Sequence, residues 1–258
     1  MADADALREP GVPVPVDQEP APPATPGDES VMSLVDHLDE LRRRLFRVIL
    51  AVAIGGVIGY LLSDDAIKIL LDLLPDGQAQ TLGPGDAFAI TLRVSLVIGV
   101  ILAMPVILYQ VWAFIAPGLT PSERKAVRPW VPLALIFFAL GVGIAYLVLP
   151  YALQFLFSFN NDQLVENVAA GPYFDFVTTL FLVFGLVMEF PILLYGLARV
   201  GILSSVQLRA MRRYVILGIA IFSAVATPGG DLVSPLVLGG TMYALYEATV
   251  FVIARTGR

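Results

Sequence analysis

Three carboxylates in this chain lie where a carboxylate has to be answered by something else. Glu189 falls inside the apolar stretch 176–198, ten positions before Arg199. Unpaired and ionised at that depth it is expensive, so it has to be neutralised, hydrated through a polar groove, or hydrogen-bonded to a partner. Pro191 follows and cannot donate to the carbonyl of Val187, which frees an acceptor beside the carboxyl and favours a kink. A polar contact within the monomer would also serve, but ionisable groups inside membrane spans are functional by default. Gln110 and Glu247 are weaker cases. A simple interhelical hydrogen bond accounts for the first, and the second lies close enough to the end of its stretch to reach headgroups.

Glu40 and Glu123 sit among bases instead. Pairing with Arg44, and with Arg124 or Arg128, would contribute only about 0–1 kcal/mol. Receiving an incoming guanidinium, for which a carboxylate offers bidentate geometry, would be a function. The residues by themselves leave both readings open. His37 is the single His and there is no Cys, so a zinc site is not expected. No Ser or Thr has a His or Lys assembled beside it in sequence, and no G-x-x-x-x-G-K-[ST] occurs. No catalytic residue, metal, cofactor or nucleic-acid partner is therefore expected, and the chain does not read as an enzyme.

The elements that must position these groups are membrane spans. Hydrophobic residues make up 57% of the chain and charged ones 15%, against roughly a quarter charged in soluble domains, and the mean hydropathy is +0.80. The net charge of -6 belongs to one segment: the first 30 residues hold seven acids against Arg8, and the rest is balanced. Residues 1–29 are acidic, rich in Pro and without an aromatic residue, which reads as a disordered tail. Residues 30–258 form the membrane domain. It starts at Ser33 as an N-cap, with an amphipathic helix carrying Leu34, Leu38, Leu41 and Leu45, and Asp39–Arg43 and Glu40–Arg44 as i,i+4 pairs.

Six apolar stretches follow, over 45–62, 94–116, 130–151, 176–198, 214–226 and 232–254. The expected fold is all-α and polytopic, with six transmembrane helices of which the last two are short. Residues 63–74, with Asp64, Asp65 and Asp72, should lie along the interface. Bases concentrate before the first stretch, in the second and fourth gaps and after the sixth, which places both termini in the cytoplasm. Gly55 and Gly59 form a G-x-x-x-G suited to close helix packing.

Against this background, the run from His37 to Arg44, HLDELRRR, resembles the H-L-x-E-L-R-x-R start of the TatC family. The run from Met104 to Leu119, MPVILYQVWAFIAPGL, followed by Glu123 and Arg124, is similar to that family's P-V-I-L-Y-Q-x-W-x-F-x-x-P-x-L and E-R loop. Phe184-Gly185, Met188-Glu189-Phe190-Pro191 and Arg213-Tyr214 match as well. The family's T-P-P-D turn is one residue longer here, from Thr227 to Asp231.

The resemblance implies the receptor core of a twin-arginine translocase in the bacterial cytoplasmic (inner) membrane, exporting folded proteins on the proton-motive force. It makes Glu40, Leu41, Arg42, Phe114 and Glu123 the signal-peptide site. Glu189 and Gln110 become contacts for TatA- and TatB-type single-span partners. Twin-arginine precursors, those partners, the lipid bilayer and self-association complete the expected interactions. The alternative is a proton- or ion-coupled small-solute transporter using Glu189 as a relay.

Overall fold

The computed structural model describes residues 34–121, 124–125, 128–161, 167–227 and 230–255. Expectations resting on the 1–29 tail, on Ser33 and on Glu123 fall outside these residues. The chain divides into residues 1–38 and 39–258; of the first unit only the opening turn of the first helix is described.

Among the described residues the secondary structure is helical, apart from one isolated parallel bridge between Gln80 and Ala169. The helices are α1 Leu34–Leu71, α2 Asp86–Ile115, α3 Trp130–Phe157, α4 Ala170–Val187, α5 Phe190–Arg199, α6 Ser205–Ala210, α7 Arg212–Ala226 and α8 Val233–Arg255. Long apolar segments take this form because a helix satisfies its backbone internally where water is absent. Hydroxyl groups follow the same rule: Thr91, Ser95, Thr178, Thr227 and Thr249 each donate to the carbonyl four residues earlier.

Five segments are long and apolar enough to cross a membrane: His37–Leu71, Asp86–Gly118, Trp130–Phe157, Ala170–Arg199 and Val233–Arg255. The protein is a multi-pass membrane protein, and its surface agrees. Leu61 is 75% and Val225 81% exposed, which an aqueous surface would tolerate singly but not in such numbers.

Two expectations are corrected. The last helix is not short: α8 has 23 residues, about 34 Å at 1.5 Å per residue, enough for a hydrocarbon core of about 30 Å. Only α7, at 15 residues, is short. Residues 63–74 do not form a separate interfacial segment, because α1 runs unbroken through Ser63, Asp64 and Asp65 as far as Leu71. The Ser63 hydroxyl donates to the Tyr60 carbonyl at 2.7 Å, so the polar residue is absorbed into the helix instead of ending it.

Packing relies on small residues where backbones cross. A Cβ on Gly99 of α2 would lie 2.6 Å from the Gly56 nitrogen and 2.9 Å from the Gly55 carbonyl carbon of α1, so the G-x-x-x-G face meets a glycine on its neighbour. A Cβ on Gly141 of α3 would lie 2.9 Å from the Gly185 Cα of α4. Among the described residues, helices α3 and α4 make the most extensive helix–helix contact, which includes Ala145, Leu149, Ala152, Val177 and Leu180, all fully buried.

The end of the bundle where α1 finishes is tied by polar bonds. Tyr173 donates its hydroxyl to the Leu70 carbonyl at 2.5 Å. Gln80 donates its backbone N–H to Val168 and accepts from Ala170, both at 2.8 Å, and Arg93 pairs with Asp175. At the opposite end Trp130 stacks on Tyr195 with centroids 3.9 Å apart, and Tyr246 donates to the Leu208 carbonyl at 2.6 Å.

Candidate functional site

Glu40 stands two turns into α1, where the i,i+4 geometry of a helix brings Arg44 beneath it. The Arg44 Nε donates to Glu40 Oε1 at 2.9 Å and its Nη2 reaches the same oxygen. Arg44 Nη1 also donates to Gln110 Oε1 on α2 at 3.3 Å. The side chains of Arg44 and Glu40 are 17% and 14% exposed, so this pair is not the solvated surface bridge that the charge pattern alone suggests. Glu40 Oε2 is buried without a hydrogen-bond partner among the described residues. The companion pair does not form: no ion pair joins Asp39 to Arg43 among the described residues, and both side chains are exposed.

The other expected signal-site residues distribute around this node. Phe114 lies one turn after Gln110 on the same face of α2 and is half-buried. Leu41 and Arg42 are exposed on α1. Gln110, grouped from sequence with Glu189, is placed instead with Arg44, and no hydrogen bond among the described residues joins it to Glu189.

Beyond the node, a cleft of about 710 Å³ opens between the end of α2, the following single 3₁₀ turn Ala116–Gly118 and the start of α3. Its lining includes Tyr109, Trp112, Arg124, Lys125, Arg128 and Val131. The Arg124 guanidinium lies over the Trp112 ring at 5.7 Å. Tyr109 and Trp112 were visible in the sequence as members of a long motif, but nothing in their spacing announced a cavity.

Glu189 sits at the junction of α4 and α5. The Met188 N–H donates to the Phe184 carbonyl and that of Glu189 to the Leu186 carbonyl, so the helix tightens and stops before Pro191 restarts it. This is the interruption that the proline led one to expect. The carboxyl is buried, and its Oε1 has no hydrogen-bond partner among the described residues. Glu247, expected to reach headgroups, pairs through Oε2 with Arg212 at 2.6 Å, while its Oε1 is buried without a hydrogen-bond partner among the described residues. Asp231, at the end of the longer turn, accepts the Ser234 N–H at Oδ1 at 2.6 Å and so holds the first turn of α8.

Chemically, these sites can exchange hydrogen bonds and charges. Among the described residues no group of three His, Cys, Asp or Glu is placed to hold a metal.

Comparison with known proteins converges on one family. The family model described as Sec-independent protein translocase protein (TatC) matches residues 36–240. A Sec-independent protein translocase protein TatC of Carboxydothermus hydrogenoformans is 34% identical over 228 residues, covering 87% of this chain and 94% of the relative. A chloroplastic TATC of Oryza sativa subsp. japonica is 38% identical over 90% of this chain, which spans 65% of that longer protein. The crystal structure of a twin-arginine translocase receptor, TatC in DDM, superposes with a TM-score of 0.74 at 34% identity, covering 84% of this chain and 99% of the other.

Proposed function

From the premise that the chain belongs to the TatC family and is a component of the Sec-independent, twin-arginine protein translocase, we propose that it recognises the paired arginines of a signal peptide through Glu40 and Glu123, flanked by Leu41, Arg42 and Phe114. The family's task is transport, not catalysis. Six spans, both termini in the cytoplasm and residence in the bacterial inner membrane belong to the same proposal, with α7 as a short fifth span. Glu189 and Gln110 contact single-span partners of the TatA and TatB type, and the proton-motive force drives export.

The observation that carries the receptor reading is the state of the Glu40 carboxylate. One oxygen already accepts a guanidinium, that of Arg44, while the other has no hydrogen-bond partner among the described residues. A signal arginine replacing Arg44, or adding at Oε2, would use the same charge-assisted bonds. For Glu189 the support is energetic: a buried oxygen without a partner costs about 1–3 kcal/mol, which a hydrogen-bond donor on a partner helix would recover.

The test is site-specific photo-crosslinking from positions 40, 114 and 123 to a twin-arginine precursor in native membranes, with a twin-lysine precursor as control. Crosslinks that vanish with twin lysine support the receptor. Equal crosslinking of both precursors, or none with partners present, would overturn it.

A further inference from the structure

The fourth span is interrupted beside Glu189, so the backbone of α4 does not by itself fix where α5 points. Pro191 has no N–H, and the Glu189 N–H bonds to the Leu186 carbonyl three residues back. The buried side chains divide at the same place. Phe184 and Val187, before the interruption, belong to the large cluster with Leu149, Ala152 and Leu180. Leu194, Tyr195 and Ala198, after it, belong to a second cluster with Tyr246, Val250 and Ile253 of α8. The direction of α5 is therefore set by what packs on it.

One residue packed there comes from another part of the chain. Trp130, the first residue of α3, lies against the second cluster. Its ring stacks on Tyr195 with centroids 3.9 Å apart and planes inclined by 20°. Tyr195 is buried, and its hydroxyl accepts the Arg199 Nε at 2.7 Å, which holds the ring that Trp130 meets. Tyr195 lies six positions after Glu189, and Trp130 seven positions after Glu123. We propose that the Trp130–Tyr195 stack is the positioning contact through which a signal peptide bound at Glu40 and Glu123 alters the placement of α5, and with it that of Glu189 against a single-span partner. This rests on the roles given above to those three carboxylates. Both aromatic residues act through the chain they hold, not by touching signal or partner. A link made of one stacked pair passes on no more than the pair is worth, a factor of about two to ten.

The test uses the full chain in native membranes with its single-span partners. Photo-crosslinking to those partners is measured from Leu193, one turn after Glu189 and 56% exposed, with a twin-arginine or a twin-lysine precursor present. Crosslinks from position 114 report precursor binding in the same membranes. In the parent, exchanging twin lysine for twin arginine should change the crosslink from 193 by a factor of about two to ten. W130A and Y195L should each abolish that change, and W130A/Y195L should do no more than either alone. W130F, which keeps a ring to stack, should retain it. L180A, which cuts into the large cluster instead, should lower the midpoint of thermal unfolding and still retain it.

Equal crosslinking from 193 with both precursors in the parent, while crosslinks from 114 vanish with twin lysine, overturns the link and leaves the receptor reading standing. Crosslinks from 114 that do not distinguish the precursors overturn that reading, and the link with it. If E189L leaves partner crosslinking from 193 untouched, the partner role of Glu189 fails first, and the link again falls with it. A change that persists in W130A, or that L180A abolishes as W130A does, reduces the stack to a packing contact. Loss of the 114 crosslink in W130A would place Trp130 in the signal site itself and overturn the proposal.

Discussion

Replacing Arg44 by leucine should destabilise the protein more than replacing its partner Glu40 by glutamine. Two unit charges about 4 Å apart attract by about 4 kcal/mol at an effective dielectric of 20. Part of this is spent on desolvating two side chains that are only 17% and 14% exposed, leaving a coupling of about 2 kcal/mol, within the range for residues in contact. R44L removes more than the coupling. It strands a carboxylate that already has one unpartnered oxygen, and it deprives Gln110 Oε1 of its donor, for a total of about 3 kcal/mol. E40Q keeps an amide oxygen for the Arg44 Nε but leaves the guanidinium without its counter-charge, and should cost about 2 kcal/mol. The double variant, free of the stranded charge, should be more stable than the sum of the singles predicts.

For a chain of this length about 2–4 °C accompanies each kcal/mol, so R44L should lower the midpoint of thermal unfolding in mild detergent by about 6–12 °C. High salt should change this little, because a mostly buried pair is poorly screened. If R44L shifts the midpoint no more than E40Q, or if the two effects simply add, then the pair is an ordinary surface bridge and the node has no special standing.

Further outcomes follow from other parts of the fold. E189L should raise the stability of the isolated chain by about 1–3 kcal/mol, by removing a buried oxygen that lacks a partner, and should reduce co-purification of single-span partners; unchanged co-purification would separate Glu189 from that role. G99A should lower stability by about 1–3 kcal/mol, since its Cβ would meet the α1 backbone. G143A, where a Cβ meets nothing within 4 Å, should stay within about 0.5 kcal/mol of the parent in the same thermal assay. D175N should cost less than about 1 kcal/mol, because Asp175 and Arg93 are about half exposed, and the loss should shrink as salt is added.

The membrane character, the apolar spans, the interruption at Pro191 and the candidate carboxylates were all legible from residue order. Each depends on interactions within one segment: hydropathy over about 20 residues, a missing N–H, or a charge in an apolar run. The long motif from Met104 to Leu119 identified the family for the same reason. Sequence could list the i,i+4 pairs on α1 but could not choose between them. Glu40–Arg44 forms beside Gln110, 66 positions beyond Arg44, and Asp39–Arg43 does not.

Only the tertiary structure supplied the second partner, because burial against α2 decides which face of α1 is dry enough for a charge pair to persist. The same holds for Gly99 meeting Gly55 and Gly56. It holds for the cleft as well, where Tyr109 and Trp112 meet Arg124, Lys125 and Arg128. Contacts between distant segments are set by how the helices pack, and a single sequence carries no direct record of that packing.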